Sequence, residues 1–200
     1  MVFPSQYPIQ KAMEEAGITP GANIPTHPSD ELVKRHASLP LTHQPGAKWM
    51  YHSGSDIAGV LIARVTGQTL EPFLRERIFV PLGMKHTAFS VPEAKLDRLA
   101  TFYHADAETR RLGAFDEARG GRFVRSPIFE SGGAGLVATV DDLLAFGRMM
   151  LNQGKYGHER ILSRLSVELM TTDTSPPNRR WCPSSSPASG TTAAGASACP

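Results

Sequence analysis

The sequence predicts an α+β chain dominated by helices, and three observations carry that prediction. Apolar residues recur at helical spacing through most of the first 170 positions, punctuated by glycine, proline and capping residues. Between Leu99 and Phe129 the pattern changes to short β-prone pieces separated by Asp, Gly and Arg. Beyond Asp173 the composition shifts abruptly: from Thr174 to Pro200 there is no Leu, Ile, Val, Phe or Met. The chain therefore divides into a partial folded domain over 1–173 and a tail over 174–200 expected to be disordered, because its side chains offer too little apolar surface to offset the entropy of ordering.

In chain order, Tyr7 to Ala16 reads as a helix stopped by Gly17, and a second helix runs from Ser29, with Asp30 and Glu31 in its first turn, to just before Leu39-Pro40. The clearest helix spans about Asp56 to Val65. Its Ile57, Val60, Leu61, Ile62 and Val65 cover more than one stripe, which predicts burial on several sides. Ser53 or Ser55 is expected to cap it. Thr69 is expected to cap the next helix, which carries Leu70, Phe73, Leu74 and Ile78 on its inner face. Phe79 to Met84 is an apolar corner broken by Pro81 and Gly83.

Ala100–Tyr103 and Arg122–Val124 are predicted as strands of a small antiparallel excursion. Ser131-Gly132-Gly133-Ala134-Gly135 reads as a tight turn needing glycine backbone angles. Thr139 with Asp142 forms a capping-box-like start to a helix through Leu151, and Ser163 starts a last short helix.

A net charge of +2 and the lack of any long Lys/Arg run exclude a composition-based case for nucleic acid or an anionic membrane. No apolar run reaches the length of a membrane span, and the first residues show no signal peptide, so the chain as given reads as cytoplasmic. The seven histidines are scattered, with no i, i+4 pair beside a carboxylate, and both cysteines lie in the tail. Neither a metal nor another cofactor is expected.

The stretch that can carry chemistry is Pro45-Gly46-Ala47-Lys48-Trp49-Met50-Tyr51-His52-Ser53-Gly54-Ser55-Asp56. A Pro-Gly turn and a helix start stiffen it from both sides and present Tyr51 at a helix mouth. Tyrosine ionises near pH 10, so it works as a base only beside a cation and usually serves a separate nucleophile.

The blocks Gln44-Pro45-Gly46, Tyr51 to Asp56, Ile62 to Gln68 and Arg77 to Met84 resemble the serine β-lactamase-like family, which includes class C β-lactamases, D-alanyl-D-alanine carboxypeptidases and related (family VIII-type) esterases. The resemblance continues through Ser131–Thr139, Asp141-Asp142 and Leu165 to Asp173, covering about Leu39 to Asp173. It implies a β-lactamase/penicillin-binding-protein-like fold, here mostly the helical region with the flanking antiparallel sheet largely missing. It also implies acyl transfer at a serine, with a small ester, amide or peptide-like molecule as substrate of the intact enzyme. In such enzymes a Ser-x-x-Lys motif supplies the nucleophile, a Tyr-x-Asn motif relays protons and holds the substrate, and a Lys-Thr-Gly or His-x-Gly strand closes the site.

Tyr51 matches the motif's tyrosine, and Ser53 stands where asparagine is commonest, which favours an ester or peptide over a lactam. Gly132 and Gly133 are carried over as substrate-lining positions. No serine of the chain has lysine three residues later, Lys-Thr-Gly is absent, and the one His-x-Gly, His52-Ser53-Gly54, falls inside the tyrosine motif. The expectation is a catalytically incomplete central piece of an enzyme, its nucleophile upstream of Met1 and its closing strand where the tail now stands. Codons permitted by Ala188 to Cys199, read one base earlier, admit a run rich in Phe and Trp, so the tail is expected to be frameshifted. The alternatives are a non-catalytic binding or scaffold module and a truncated gene product without activity.

Overall fold

The computed structural model describes residues 8–18, 25–47, 53–106 and 109–173. Tyr51, Lys48 and the tail from Thr174 lie outside the described residues. Among the described residues six α-helices succeed one another: α1 Pro8–Glu15, α2 Ser29–Ala37, α3 Gly54–Thr66, α4 Leu70–Leu74, α5 Val140–Leu151 and α6 Arg164–Thr171. Between α4 and α5 stands a two-stranded antiparallel pair, β1 Phe102–Ala105 with β2 Leu112–Asp116. A second, minimal pair, β3 Lys155–Tyr156 with β4 Glu159–Arg160, joins α5 to α6.

Among the described residues two apolar clusters tie several of these elements together. In the first, Ile18, Leu32, Val60 and Phe129 bring α2, α3 and the end of the excursion together, with Met13 of α1 at its margin. In the second, Phe79, Leu82 and Met84 of the apolar corner meet Ala145 and Met149 of α5. The corner is reached through a π-helical turn, Arg75–Phe79, that continues α4 and turns Phe79 into the core.

Local caps behave as the sequence predicts at α5 and α6. The Thr139 hydroxyl accepts from Asp142 N at 3.3 Å, and the Ser163 hydroxyl accepts from Ser166 N at 3.0 Å. The reciprocal half of the α5 box is absent, because the buried Asp142 carboxylate instead accepts from His86 N and Thr87 Oγ1, both at 2.8 Å. Neither Ser53 nor Ser55 caps α3. Ser53 already has helical angles (φ −65°, ψ −11°), which withdraws its hydroxyl from the orphan N–H groups, and Ser55 lies inside the helix. Thr69 occupies the cap position of α4, but the cap is supplied by Glu130, whose carboxylate accepts from Thr69 Oγ1 (3.1 Å) and Glu71 N (2.6 Å).

The excursion differs from expectation in one strand. The partner of β1 is β2, and Phe102 meets Phe115 edge-on with centroids 5.2 Å apart. Arg122–Val124 is a 3₁₀ turn, because Asp116 accepts from both Arg122 N (2.9 Å) and Arg122 Nε (2.7 Å) and so folds the chain back.

The burial expected around α3 is one-sided. Gly59 and Val60 are buried, whereas Leu61 is 61% and Val65 77% exposed. On α5, Val140, Leu143, Leu144 and Leu151 are exposed in the same way. Apolar side chains left open on two helices predict association: the isolated chain is expected to elute as oligomers or aggregate on size exclusion. A monodisperse monomer that melts cooperatively would contradict this.

Candidate active site

The segment 129–133 is stitched residue by residue onto α3 and α4. Phe129 is buried against Val60 in the first cluster, and Glu130 caps α4. Ser131 is buried, and its hydroxyl donates to Asp56 Oδ1 at 2.5 Å while accepting from Gly133 N (3.1 Å) and Ala134 N (2.9 Å). Gly133 N lies 3.3 Å from the same Asp56 oxygen. Asp56 sits in the first turn of α3, where a carboxylate is favoured by the helix dipole, and its side chain is buried in this contact.

Gly132 is required by close approach. A Cβ there would stand 2.1 Å from the Ser55 carbonyl oxygen and 3.3 Å from Gly59 N, and a Cβ on Gly59 would in turn stand 3.3 Å from Gly132 N. Positive φ, expected across the glycine run, occurs at Gly135 alone among its glycines (φ 91°). Gly133 has room, since a Cβ would lie 3.5 Å from the nearest atom.

Three of the four site positions expected from the sequence, Ser53, Gly132 and Gly133, lie among the described residues. Ser53 immediately precedes α3, and Gly132 and Gly133 lie on the first turn of that helix. The Ser53 hydroxyl makes no capping bond. Tyr51, three positions before the first residue of α3, is outside the described residues. The sequence reading missed that Asp56, Ser131 and Glu130 hold the two parts together. Their buried or capping roles depend on partners 59 to 77 positions away, and no local pattern signals them.

His36 of α2 faces this region. Burial holds its imidazole below the ordinary value of 6.5, and the Asp56 carboxylate opposes that shift without cancelling it. Because the folded value lies below the unfolded one, the unfolded chain takes up the proton first on acidification. The group thus removes stability as pH falls below 6.5 and contributes nothing above it. The denaturant midpoint is expected to drop between pH 7 and pH 5, and His36→Gln to flatten part of that drop. Identical pH profiles for the two proteins would refute it.

Among the described residues no cluster of His, Cys, Asp and Glu could hold a metal ion, and no helix is long and apolar enough to cross a membrane.

A family model described as Beta-lactamase matches residues 5–191. The chain belongs to the β-lactamase family. Within that family it is 39% identical over 137 residues to an uncharacterised Mycobacterium tuberculosis protein, a match covering 68% of this chain and 33% of the relative. It is 33% identical over 145 residues to the esterase EstB of Burkholderia gladioli, covering 66% of this chain and 36% of EstB. The chain thus spans about a third of the length of these β-lactamase-family relatives. Among solved structures, EstCE1, described as a hydrolase with promiscuous acyltransferase activity, superposes with a TM-score of 0.68 at 24% identity, over 85% of this chain and 46% of its own. The fold is β-lactamase/penicillin-binding-protein-like, and the described residues make mostly its helical region. The family is one of serine hydrolases, as the Tyr51-to-Asp56 and Ser131-to-Thr139 blocks lead one to expect.

Proposed function

We propose that this chain carries the tyrosine-bearing part of a serine acyl-hydrolase site and does not turn over on its own. The observation that carries the reading is the docking of the Ser131–Gly133 backbone on the first turn of α3, the helix that Tyr51-x-Ser53 leads into. Tyr51 is the proton relay: its phenol takes a proton from an attacking serine and returns it to the leaving group. In this reading Ser53 offers its uncapped hydroxyl to the substrate carbonyl side, and Gly132 and Gly133, packed on the first turn of α3, line the site without side chains. A single hydroxyl in place of a side-chain amide favours a small ester over a lactam, and the esterase among the relatives supports the same substrate class.

The nucleophile is what the 200 residues do not contain, since no serine is followed by lysine three positions on. The chain is accordingly read as a catalytically incomplete piece. The test is the genomic DNA about 300 bases to each side, a reach set by ordinary domain sizes. The reading expects an upstream in-frame Ser-x-x-Lys and an aromatic-rich continuation in the shifted frame beyond residue 173. Flanks that lack the Ser-x-x-Lys would sink it.

A further inference from the structure

A cleft of about 580 Å³ opens between the end of α4, the 85–93 segment, the 3₁₀ turn Glu93–Arg98 and residues 124–126 and 137–139. Its lining includes none of Ser53, Gly132 and Gly133. The walls are built from fixed backbone. Ala88 and Val137 exchange a pair of hydrogen bonds (3.2 and 2.9 Å), and Val91 N donates to Phe123 O at 2.8 Å. The buried Asp142 carboxylate pins His86 N and Thr87 Oγ1, and the buried Leu96 anchors the 3₁₀ turn.

Arg75, Lys85, Lys95, Arg98 and Arg125 line this cleft, against two carboxylates, Glu71 and Glu93. Glu71 is committed: one oxygen pairs with Arg75 and the other accepts from Phe89 N. Among the described residues, Lys85, Arg98 and Arg125 have no acidic partner. The Lys95 ammonium points to His86 Nδ1 at 3.4 Å, a neighbour that carries no negative charge as imidazole. With Glu71 and Arg75 paired, Glu93 alone stands against Lys85, Lys95, Arg98 and Arg125, which leaves the concave site with an excess of positive charge.

We propose that this cleft binds a small phosphate-bearing molecule. The volume suits a ligand of metabolite size, and a tetrahedral phosphate presents oxygens toward several walls at once, which a planar carboxylate does not. Arg98 and Arg125 supply the fork geometry that phosphate oxygens accept, and Lys85 and Lys95 supply point charges. The site is independent of the acyl-transfer reading and would stand if that reading fell.

The test is calorimetric titration of the full chain with inorganic pyrophosphate as the probe at about 0.15 M ionic strength. Saturable 1:1 binding is expected, weakened about tenfold or more in the Lys95→Gln/Arg98→Gln variant, since two charge-assisted contacts are lost. The Lys11→Gln/Lys34→Gln variant removes the same charge from α1 and α2 and is expected to change affinity less than about twofold. Absence of saturable binding, or equal weakening in both variants, would overturn the proposal. So would binding to phosphatidylglycerol vesicles that pyrophosphate does not compete away, which would assign the charge to a lipid surface. Circular dichroism of each variant confirms that the comparison is between folded proteins.

Discussion

Replacing Gly132 by alanine is expected to lower the stability of the chain by about 3 kcal/mol, the upper part of the range for forcing an extra carbon into packed structure. The new Cβ would fall 2.1 Å from the Ser55 carbonyl oxygen, and Gly59 N stands 3.3 Å away. Both obstacles are backbone of α3, so no side-chain rotation relieves the overlap, and either the helix or the loop must move. Gly133→Ala is the internal control. Its Cβ would meet Asp56 Oδ1 at 3.5 Å, an ordinary contact, and its φ is not in the left-handed region. Urea titrations should show a large drop in midpoint for Gly132→Ala and a change within about 0.5 kcal/mol for Gly133→Ala, as for an unobstructed surface position. Equal effects at the two glycines would mean that the loop is not held against α3 as described.

Asp56→Ala is expected to cost about 3 kcal/mol. Hydrogen bonds to a charged group contribute roughly 1.5–3 kcal/mol, and the buried Ser131 hydroxyl would lose the acceptor of its proton. Gly133 N would lose its contact to the same oxygen, keeping only the one to Ser131 Oγ. Ser131→Ala removes the other partner, so the double variant should be less destabilised than the sum of the singles by about 1 kcal/mol or more. Additivity within about 0.5 kcal/mol, the value for independent sites, would show that the two side chains do not act as a pair.

Legibility in the sequence followed the range of the interactions involved. The starts of α5 and α6 were readable because Thr139 and Ser163 reach N–H groups only three residues on. The failed caps at Ser53 and Thr69 have separate causes: a remote carboxylate, Glu130, satisfies α4, whereas the backbone of Ser53 is already helical. Arg122–Val124 has strand composition but turns because of the Asp116 carboxylate six positions earlier, which competes with extension. The outward placement of Leu61 and Val65 has a different cause. Apolar composition records which faces a fold covers, and the described residues place nothing over that side of α3. At the candidate site, the motif residues were legible as types and spacing, whereas the Asp56–Ser131 bond that brings the glycine segment to the helix spans 75 positions.

Under the proposed function, this chain holds the tyrosine side of acyl-transfer chemistry and no nucleophile. That reading is tested most directly by intact-mass spectrometry of the purified 200-residue chain after incubation with a chromogenic ester and with a fluorescent penicillin. An unchanged mass and ester hydrolysis no faster than in buffer are expected, because loss of the nucleophile removes most of the rate enhancement of such enzymes. An acyl adduct on any serine of the chain would contradict that reading.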